Sequence, residues 1–210
     1  MQFDFSRLAA ADRYKLMSAS ITPRPIAWVT SLSKAGIRNA APYSFFNMMS
    51  AEPPLVALGL MRRPDGAYKD TCANILETGE FVVNLVAEAD LDAMNFTCID
   101  APPGIDELHA GAIETVASID VAPPRIVSAP VSMECRLKHR IDVSDASTVV
   151  LGEVTVFHID DRFVDGERLH VDAAAMGLVA RMHGAGWYAR RPNMVRRDRP
   201  AWADFCEQAR

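Results

Sequence analysis

An apolar run at residues 54–61 places the strongest constraint on the fold, because it ends abruptly in a charged loop. The run reads Pro-Leu-Val-Ala-Leu-Gly-Leu-Met, and its length and composition are typical of a buried strand. Residues 62–71 follow with the sequence Arg-Arg-Pro-Asp-Gly-Ala-Tyr-Lys-Asp-Thr. Residues 72–78 are predicted to form a short helix that ends at a Gly79 cap. A core strand therefore leads through a cationic loop to a helix start.

The loop at residues 62–71 is predicted to bind an anion. Backbone N–H groups at a helix start attract negative charge, and nearby cationic side chains strengthen that attraction. Arg62 and Lys69 can supply the cations, and Thr71 can donate a hydroxyl hydrogen bond. These features indicate a phosphate, although charge and helix geometry alone do not say which phosphate is bound.

Length and composition are those of a folded protein with a full core. The 210 residues are 50% hydrophobic and 23% charged, which suffices for one large domain or two small ones. We find no linker or repeat, so residues 1–210 are predicted to form a single domain, with a basic tail from about residue 190. The net charge of −5 argues against general nucleic-acid binding.

Targeting and metal-binding signals are missing from the sequence. No apolar run is long enough for a membrane helix, and the N-terminus does not have the pattern of a signal peptide, so a cytoplasmic location is predicted. The histidines and cysteines show no metal-ligand spacing. The pattern Gly184-x-Gly186-x-x-Ala189 matches a dinucleotide fingerprint, but Pro192 interrupts the helix that must follow it.

Apolar runs bounded by turn residues predict a mainly β fold with peripheral helices, of the barrel type. The predicted strands are residues 26–32, 38–46, 54–61, 80–86, 131–143 and 148–159, with the first two paired as a hairpin. The predicted helices are residues 5–20, 72–78 and 88–97. The proline-rich residues 100–130 are predicted to be an ordered loop with short pieces of secondary structure.

A second polar pattern lies in residues 38–47, where Asn39, Ser44 and Asn47 alternate with small and aromatic residues. Small residues let a planar ligand approach the backbone, while amides and hydroxyls reach its polar edge. The alternative is a hairpin strand whose Asn and Ser residues only serve turns.

Several motifs in order resemble the flavin reductase-like family, whose members bind FMN in a split β-barrel. The motifs are Pro23-Arg24-Pro25-Ile26-Ala27-Trp28-Val29, Ala41-Pro42-Tyr43-Ser44-Phe45-Phe46-Asn47, Ser50-Ala51-Glu52-Pro53-Pro54, Arg62-Arg63-Pro64-Asp65-Gly66-x-x-Lys69-Asp70-Thr71 and Gly79-Glu80-Phe81-Val82-Val83-Asn84. The subgroup with R-P-D-G-x-x-K-D-T is the most similar. The resemblance covers roughly residues 18–188.

The resemblance implies that the FMN phosphate lies near Arg62, Lys69 and Thr71. Asp70 cannot help an anion directly, and we expect it to cap the helix. Whether Arg63 faces ligand or solvent is left open.

The resemblance further implies that the isoalloxazine ring lies against residues 26–31 and 41–47. Its expected contacts there are Thr30, Ser31, Ser44 and Asn47. The family's late segment, often contributed across a dimer interface, corresponds to Arg181 and Tyr188, for which a surface arginine and a packed tyrosine are the alternative.

The function implied by the resemblance is an NAD(P)H-dependent flavin reductase that forms a homodimer. Hydride would pass from NADH or NADPH to flavin, and the reduced flavin would be available to a separate monooxygenase. No catalytic acid or base is predicted. The alternatives are a flavin-binding electron carrier reduced by a protein partner, and a relative that holds no flavin. The arginine-rich tail is expected to be solvated, with contact to an NADPH phosphate or a partner as the alternative.

Overall fold

The computed structural model describes residues 1–102, 104–184, 186–190 and 195. Apart from Arg190 and Val195, the predicted basic tail lies outside the described residues. The proposal of one domain over the whole chain therefore stays a prediction.

The main sheet contains seven strands, and every neighbouring pair is antiparallel. These strands are β2 (Ala27–Leu32), β3 (Arg38–Tyr43), β4 (Phe46–Ala51), β5 (Pro54–Met61), β6 (Glu80–Leu85), β9 (Val131–Ser144) and β10 (Ser147–Ile159). Their spatial order is β3-β2-β6-β9-β10-β5-β4. The mainly β architecture with peripheral helices is therefore confirmed.

Short strands and helices surround the main sheet. The short strands are β1 (Arg24–Pro25), β7 (Thr115–Val116), β8 (Arg125–Ile126), β11 (Val164–Asp165), β12 (His170–Val171), β13 (Ala180–Arg181) and β14 (Tyr188–Ala189). The α-helices are α1 (Ala10–Ser20), α2 (Asp70–Thr78), α3 (Leu91–Phe96) and α4 (Glu107–Ala110). Single 3-10 turns span Phe5–Arg7, Glu88–Asp90 and Asp161–Phe163. In the described part of the chain, no helix combines the length and apolarity that crossing a membrane requires.

The sheet curls into a barrel that is split between β3 and β4. These strands are the two edges of the seven-stranded order, yet only Ser44 and Phe45 connect them. A flat sheet of seven strands would separate its edges by roughly 29 Å. The three peptide steps from Tyr43 to Phe46 reach at most about 11 Å. The connection therefore brings the edges together.

The predicted hairpin over residues 38–46 is too long. Strand β3 ends at Tyr43, and Phe46 begins β4, which pairs with β5 instead of β2. The N–H of Gly59 donates to the carbonyl of Phe45 over 2.7 Å, which ties the crossing to β5. The alternation of side chains alone could not show that the chain changes partners at Ser44.

Helix α2 begins at Asp70, and Lys69 is its N-cap residue without a side-chain cap hydrogen bond. The prediction that Asp70 caps this helix is wrong, because Asp70 already lies in the first turn. The predicted C-terminal cap is confirmed: Gly79 has φ 75°, and its N–H donates to the Ile75 carbonyl over 2.9 Å.

The two faces of β2 pack against different clusters of the core. Ala27 and Val29 pack inside the barrel, whereas Trp28 packs on the outside with residues of the helical layer. The Trp28 Nε1–H donates to Thr97 Oγ1 over 3.0 Å. This bond fixes the C-terminal end of α3 against the sheet, and residues 97–102 continue from there.

Candidate functional site

A cavity of about 660 Å³ opens between three parts of the chain. They are β3, the loop that leads into α2, and the segment that follows α3. The lining residues are Asn39, Ala41, Pro42, Tyr43, Arg63, Pro64, Asp65, Lys69, Asp70, Thr71, Thr97, Cys98, Ile99, Asp100, Ala101, Pro102 and Glu107. Its volume is within the range of small-molecule and cofactor sites.

The start of α2 forms the cationic end of this cavity. Lys69, Asp70 and Thr71 all line it, so the first-turn N–H groups, which no side chain caps, lie at its wall. Arg63 Nη2 lies 3.2 Å from Asp70 Oδ1, and Lys69 Nζ lies 2.8 Å from Asp100 Oδ1. Two cations and a helix N-terminus therefore converge on one space.

Arg62 does not line the cavity. Its Nη2 lies 2.8 Å from Asp142 Oδ1 and donates to Thr148 Oγ1 over 3.1 Å. Its guanidinium stacks over the Tyr68 ring, 4.5 Å from the ring centroid. The residue at the cavity wall is instead its neighbour Arg63, whose position the sequence left open, and the phosphate contact expected of Arg62 stays a prediction.

A buried hydrogen-bond network supports the wall beside Thr71. Thr71 Oγ1 donates to Asn39 Oδ1 over 2.6 Å, and Ser31 Oγ donates to the same oxygen over 3.1 Å. Asn39 Nδ2 donates to Glu107 Oε2 over 3.1 Å, and Asn74 Nδ2 donates to Ser31 Oγ over 3.1 Å. Ser31 therefore lies behind the wall and fixes residues that line it.

Thr30 and Asn47, two further expected flavin contacts, line neither the cavity nor its side recess. Thr30 is on the opposite face of β2 from Ser31, and its Oγ1 donates to the Pro124 carbonyl over 2.5 Å. Asn47 is exposed on β4, where its Oδ1 accepts from the Met48 N–H over 2.8 Å. The structure separates both side chains from the other predicted site residues.

A recess of about 160 Å³ adjoins the cavity and holds the other predicted residues. Its walls are Tyr14, Ile26, Pro42, Tyr43, Ser44, Met94, Cys98, Arg181 and Tyr188, of which Pro42, Tyr43 and Cys98 also line the cavity. Arg181 Nη1 donates to Tyr188 Oη over 2.6 Å. The structure therefore brings Ser44, Arg181 and Tyr188 together.

Two titratable side chains, Tyr43 and Cys98, line both the cavity and the recess, and the pKa of each is raised so that the neutral form is favoured. Burial raises the pKa of the Tyr43 phenol, and the proximity of the Thr71 hydroxyl opposes this only in part. Burial also raises the pKa of the Cys98 thiol, against the charges of Arg181 and Lys69.

Part of the site was missed at the sequence level. The pattern of residues 38–47 singled out Asn39 without assigning it a place at the cationic end of the cavity. Glu107 and residues 100–102 come from the stretch predicted as an ordered loop, whereas residues 97–99 lie at or just beyond the end of the helix predicted over residues 88–97, and no local motif marks any of them. Long-range contacts bring these residues to the cavity, among them the Trp28–Thr97, Lys69–Asp100 and Asn39–Glu107 bonds.

Comparison with known proteins identifies the family. The model of the flavin reductase-like domain matches residues 17–177, which is most of the chain. The chain belongs to the flavin reductase-like family. This flavin reductase-like protein also resembles the 2-nitrobenzoate 2-nitroreductase NbaA of Pseudomonas fluorescens, with 35% identity, a TM-score of 0.87, and coverage of 96% of this chain and 98% of that one.

Two further solved structures are similar to this flavin reductase-like protein. Nitrilotriacetate monooxygenase component B from Bacillus cereus is 31% identical, with a TM-score of 0.87 and coverage of 93% and 98% of the two chains. A split-barrel protein of Shewanella frigidimarina is 19% identical, with a TM-score of 0.81 and coverage of 95% and 100%. The predicted family and split-barrel fold are confirmed, and the family supports a flavin cofactor and a flavin oxidoreductase.

Proposed function

We propose that this protein binds FMN in the 660 Å³ cavity and transfers hydride from NADH or NADPH to flavin. The observation that carries this proposal is the convergence of Arg63, Lys69 and the uncapped start of α2 on one wall. A phosphate monoester matches that wall, because it accepts hydrogen bonds from backbone N–H groups and cations at once.

The carboxylates at this wall are compatible with a phosphate. Asp70 and Asp100 pair with the two cations, and Asp65 and Glu107 also line the cavity, so its lining as a whole is not cationic. Partly exposed ion pairs contribute only about 0–1 kcal/mol each. A phosphate also accepts from the N–H groups at the start of α2, which these carboxylates do not use, so it can replace the carboxylates as partner of the cations.

The remaining wall suits the other parts of FMN. Asn39 presents a polar side chain next to Thr71, and Tyr43 presents a phenol that stays protonated. Ala41 and Pro42 add a small apolar surface that a planar ring can approach. When bound, FMN would supply the hydride chemistry itself. The protein's part is to bind and orient the two reactants and to exclude water, which suffices for large rate effects.

The experiment that tests the proposal combines flavin binding with nicotinamide oxidation. We expect FMN to raise the melting temperature, and its fluorescence to be quenched when it binds. Oxidation of NADH or NADPH should then exceed the rate seen with FMN alone. Flavin binding without nicotinamide oxidation would favour the electron carrier instead. Absence of any flavin binding would favour a structural relative.

We also propose that the protein is a homodimer in the cytoplasm. Edge strand β4 exposes Met48 and Met49, at 65% and 54% of their surface, next to an unpaired strand edge. Exposed apolar edges are typical sites of association between chains. Sedimentation velocity at micromolar concentration should give the mass of two chains.

Similarity to a monooxygenase component B supports a monooxygenase as acceptor of the reduced flavin.

A further inference from the structure

Arg24 and Arg181 are directly opposite each other in the β1–β13 pairing. Neither has a carboxylate partner among the residues that the structure describes. Arg24 instead donates to the carbonyls of Ser18, Ile21 and His183, and its Nε donates to Ser44 Oγ over 3.3 Å. Arg181 donates to Tyr188 Oη and to the Gly184 carbonyl. Two cations are therefore adjacent without a described anion between them.

This arrangement is unfavourable in the absence of an anion. Like charges directly opposite each other in antiparallel strands destabilise the pairing, and a buried charge costs free energy unless it is paired. Arg24 is only 7% exposed. Burial lowers the pKa of Arg24, and the nearby charge of Arg181 lowers it further. An anionic ligand would offset both the repulsion between the two arginines and the cost of burying the charge of Arg24.

The arginine pair borders the 160 Å³ recess beside the cavity. Arg181 and Ser44 line the recess, and Arg24 lies behind Ser44. Because Ser44 Oγ accepts from Arg24, the hydroxyl proton of Ser44 is free to point at a ligand. Arg181 uses two of its five N–H groups on Tyr188 and Gly184, which leaves others for a ligand.

We propose that the recess binds the carboxylate of a small organic acid with an apolar body. Arg181 is the ion-pair partner, Ser44 is the second donor, and Arg24 is a positioning residue that orients Ser44. A planar guanidinium matches a planar carboxylate through two parallel hydrogen bonds. Ile26 and Met94 supply the apolar wall for the body of the acid. The recess would thus select the second substrate of the proposed flavin site. This inference therefore rests on the FMN function proposed above.

Titration calorimetry with benzoate and with the neutral benzamide tests this proposal, first with FMN present and then without it. We expect benzoate to bind at least about tenfold more tightly than benzamide, since only benzoate gains charge-assisted bonds. Arg181→Gln should abolish that preference, and Arg181→Lys should keep part of it. Arg168→Gln, in which the exposed partner of Asp165 is changed, is the matched control.

Each outcome decides one of the two proposals. Equal affinities for benzoate and benzamide, or a preference that survives Arg181→Gln, would overturn the acid recess. Benzoate binding without any flavin binding would overturn the FMN proposal and leave the recess standing. If Arg181→Gln does not fold, the comparison of the two ligands on the unmodified protein decides, together with Ser44→Ala, which should weaken benzoate more than benzamide because only benzoate loses a charge-assisted bond.

Discussion

Arg62 and Arg63 are adjacent in the chain but hold different partners. The Arg62 guanidinium lies 2.8 Å from Asp142, away from the cavity, and the Arg63 guanidinium lies 3.2 Å from Asp70 on its wall. Of these two neighbouring cations, only Arg63 lines the cavity.

Exchange of each arginine for alanine tests this division. Arg63→Ala should weaken FMN binding by about 1.5–3 kcal/mol, because a charge-assisted phosphate contact is lost. Arg62→Ala should change FMN affinity less than about twofold, although it lowers stability by removing the contacts with Asp142 and Thr148. Fluorescence titration gives the affinities, and thermal unfolding gives the stabilities. A larger loss of affinity in Arg62→Ala would mean that the phosphate is misplaced.

Lys69 should contribute to the same binding energy. Lys69→Ala removes the cation beside the start of α2, and we expect FMN affinity to fall by about 1.5–3 kcal/mol. The matched control is Lys138→Ala, because Lys138 forms a comparable ion pair with Glu153, 2.7 Å away, and does not line the cavity. Titrations at low and high salt should show a smaller salt dependence for the Lys69 variant alone. Unchanged affinity in this variant would contradict the proposed site.

Gly152 should be required for packing inside the barrel. A Cβ at this position would lie 2.3 Å from Phe81 Cζ, and the Phe81 side chain is fully buried. Gly152→Ala should therefore destabilise the protein by about 1–3 kcal/mol, as overpacking does in other cores. Gly166→Ala is the control, since its Cβ would meet no atom within 4 Å. Urea unfolding followed by tryptophan fluorescence measures the stability of both variants. Equal midpoints would show that the barrel accommodates the methyl group.

Glu134 should make stability depend on pH in the acid range. Its buried carboxylate accepts hydrogen bonds from the N–H groups of Ile119, Asp120 and Val121, and it contacts His158 Nε2 at 2.6 Å. Burial raises the pKa of Glu134, but these donors outweigh it and hold the pKa below its ordinary value of 4.5. The ionised form is thus favoured in the folded state. The resulting stability is present above about pH 4.5 and is lost as the pH falls through the lower folded pKa.

Glu134→Gln isolates this contribution. The variant should melt at a lower temperature than the unmodified protein at pH 7, because an amide offers only one oxygen to these donors. The difference should shrink as the pH is lowered below about 4.5, where the carboxyl of the unmodified protein also becomes neutral. Glu114→Gln, at an exposed position, should follow the unmodified protein throughout. A constant difference between pH 7 and pH 3 would contradict the proposed role of ionisation.

Local sequence signals were enough to predict most of the long strands, α2 and the cationic loop that connects β5 to α2, although they missed β4. Local signals suffice for these features, because apolar runs, turn residues and a C-terminal glycine act over a few neighbouring positions. The same reasoning placed Lys69 and Thr71 at a helix start, and the structure places both at the cavity wall.

Which side chains share the site depends on long-range contacts that no local pattern shows. The alternation of β2 sends Thr30 to Pro124 and Ser31 to Asn39, and a sequence without a known barrel axis does not say which face is which. The presence of Arg63, instead of Arg62, at the cavity wall has a similar cause. The partners of Arg62 come from β9 and β10, which are distant in the sequence. Glu107 reaches the cavity through a long-range bond to Asn39. Such contacts depend on how the sheet closes, and closure is a property of the whole chain.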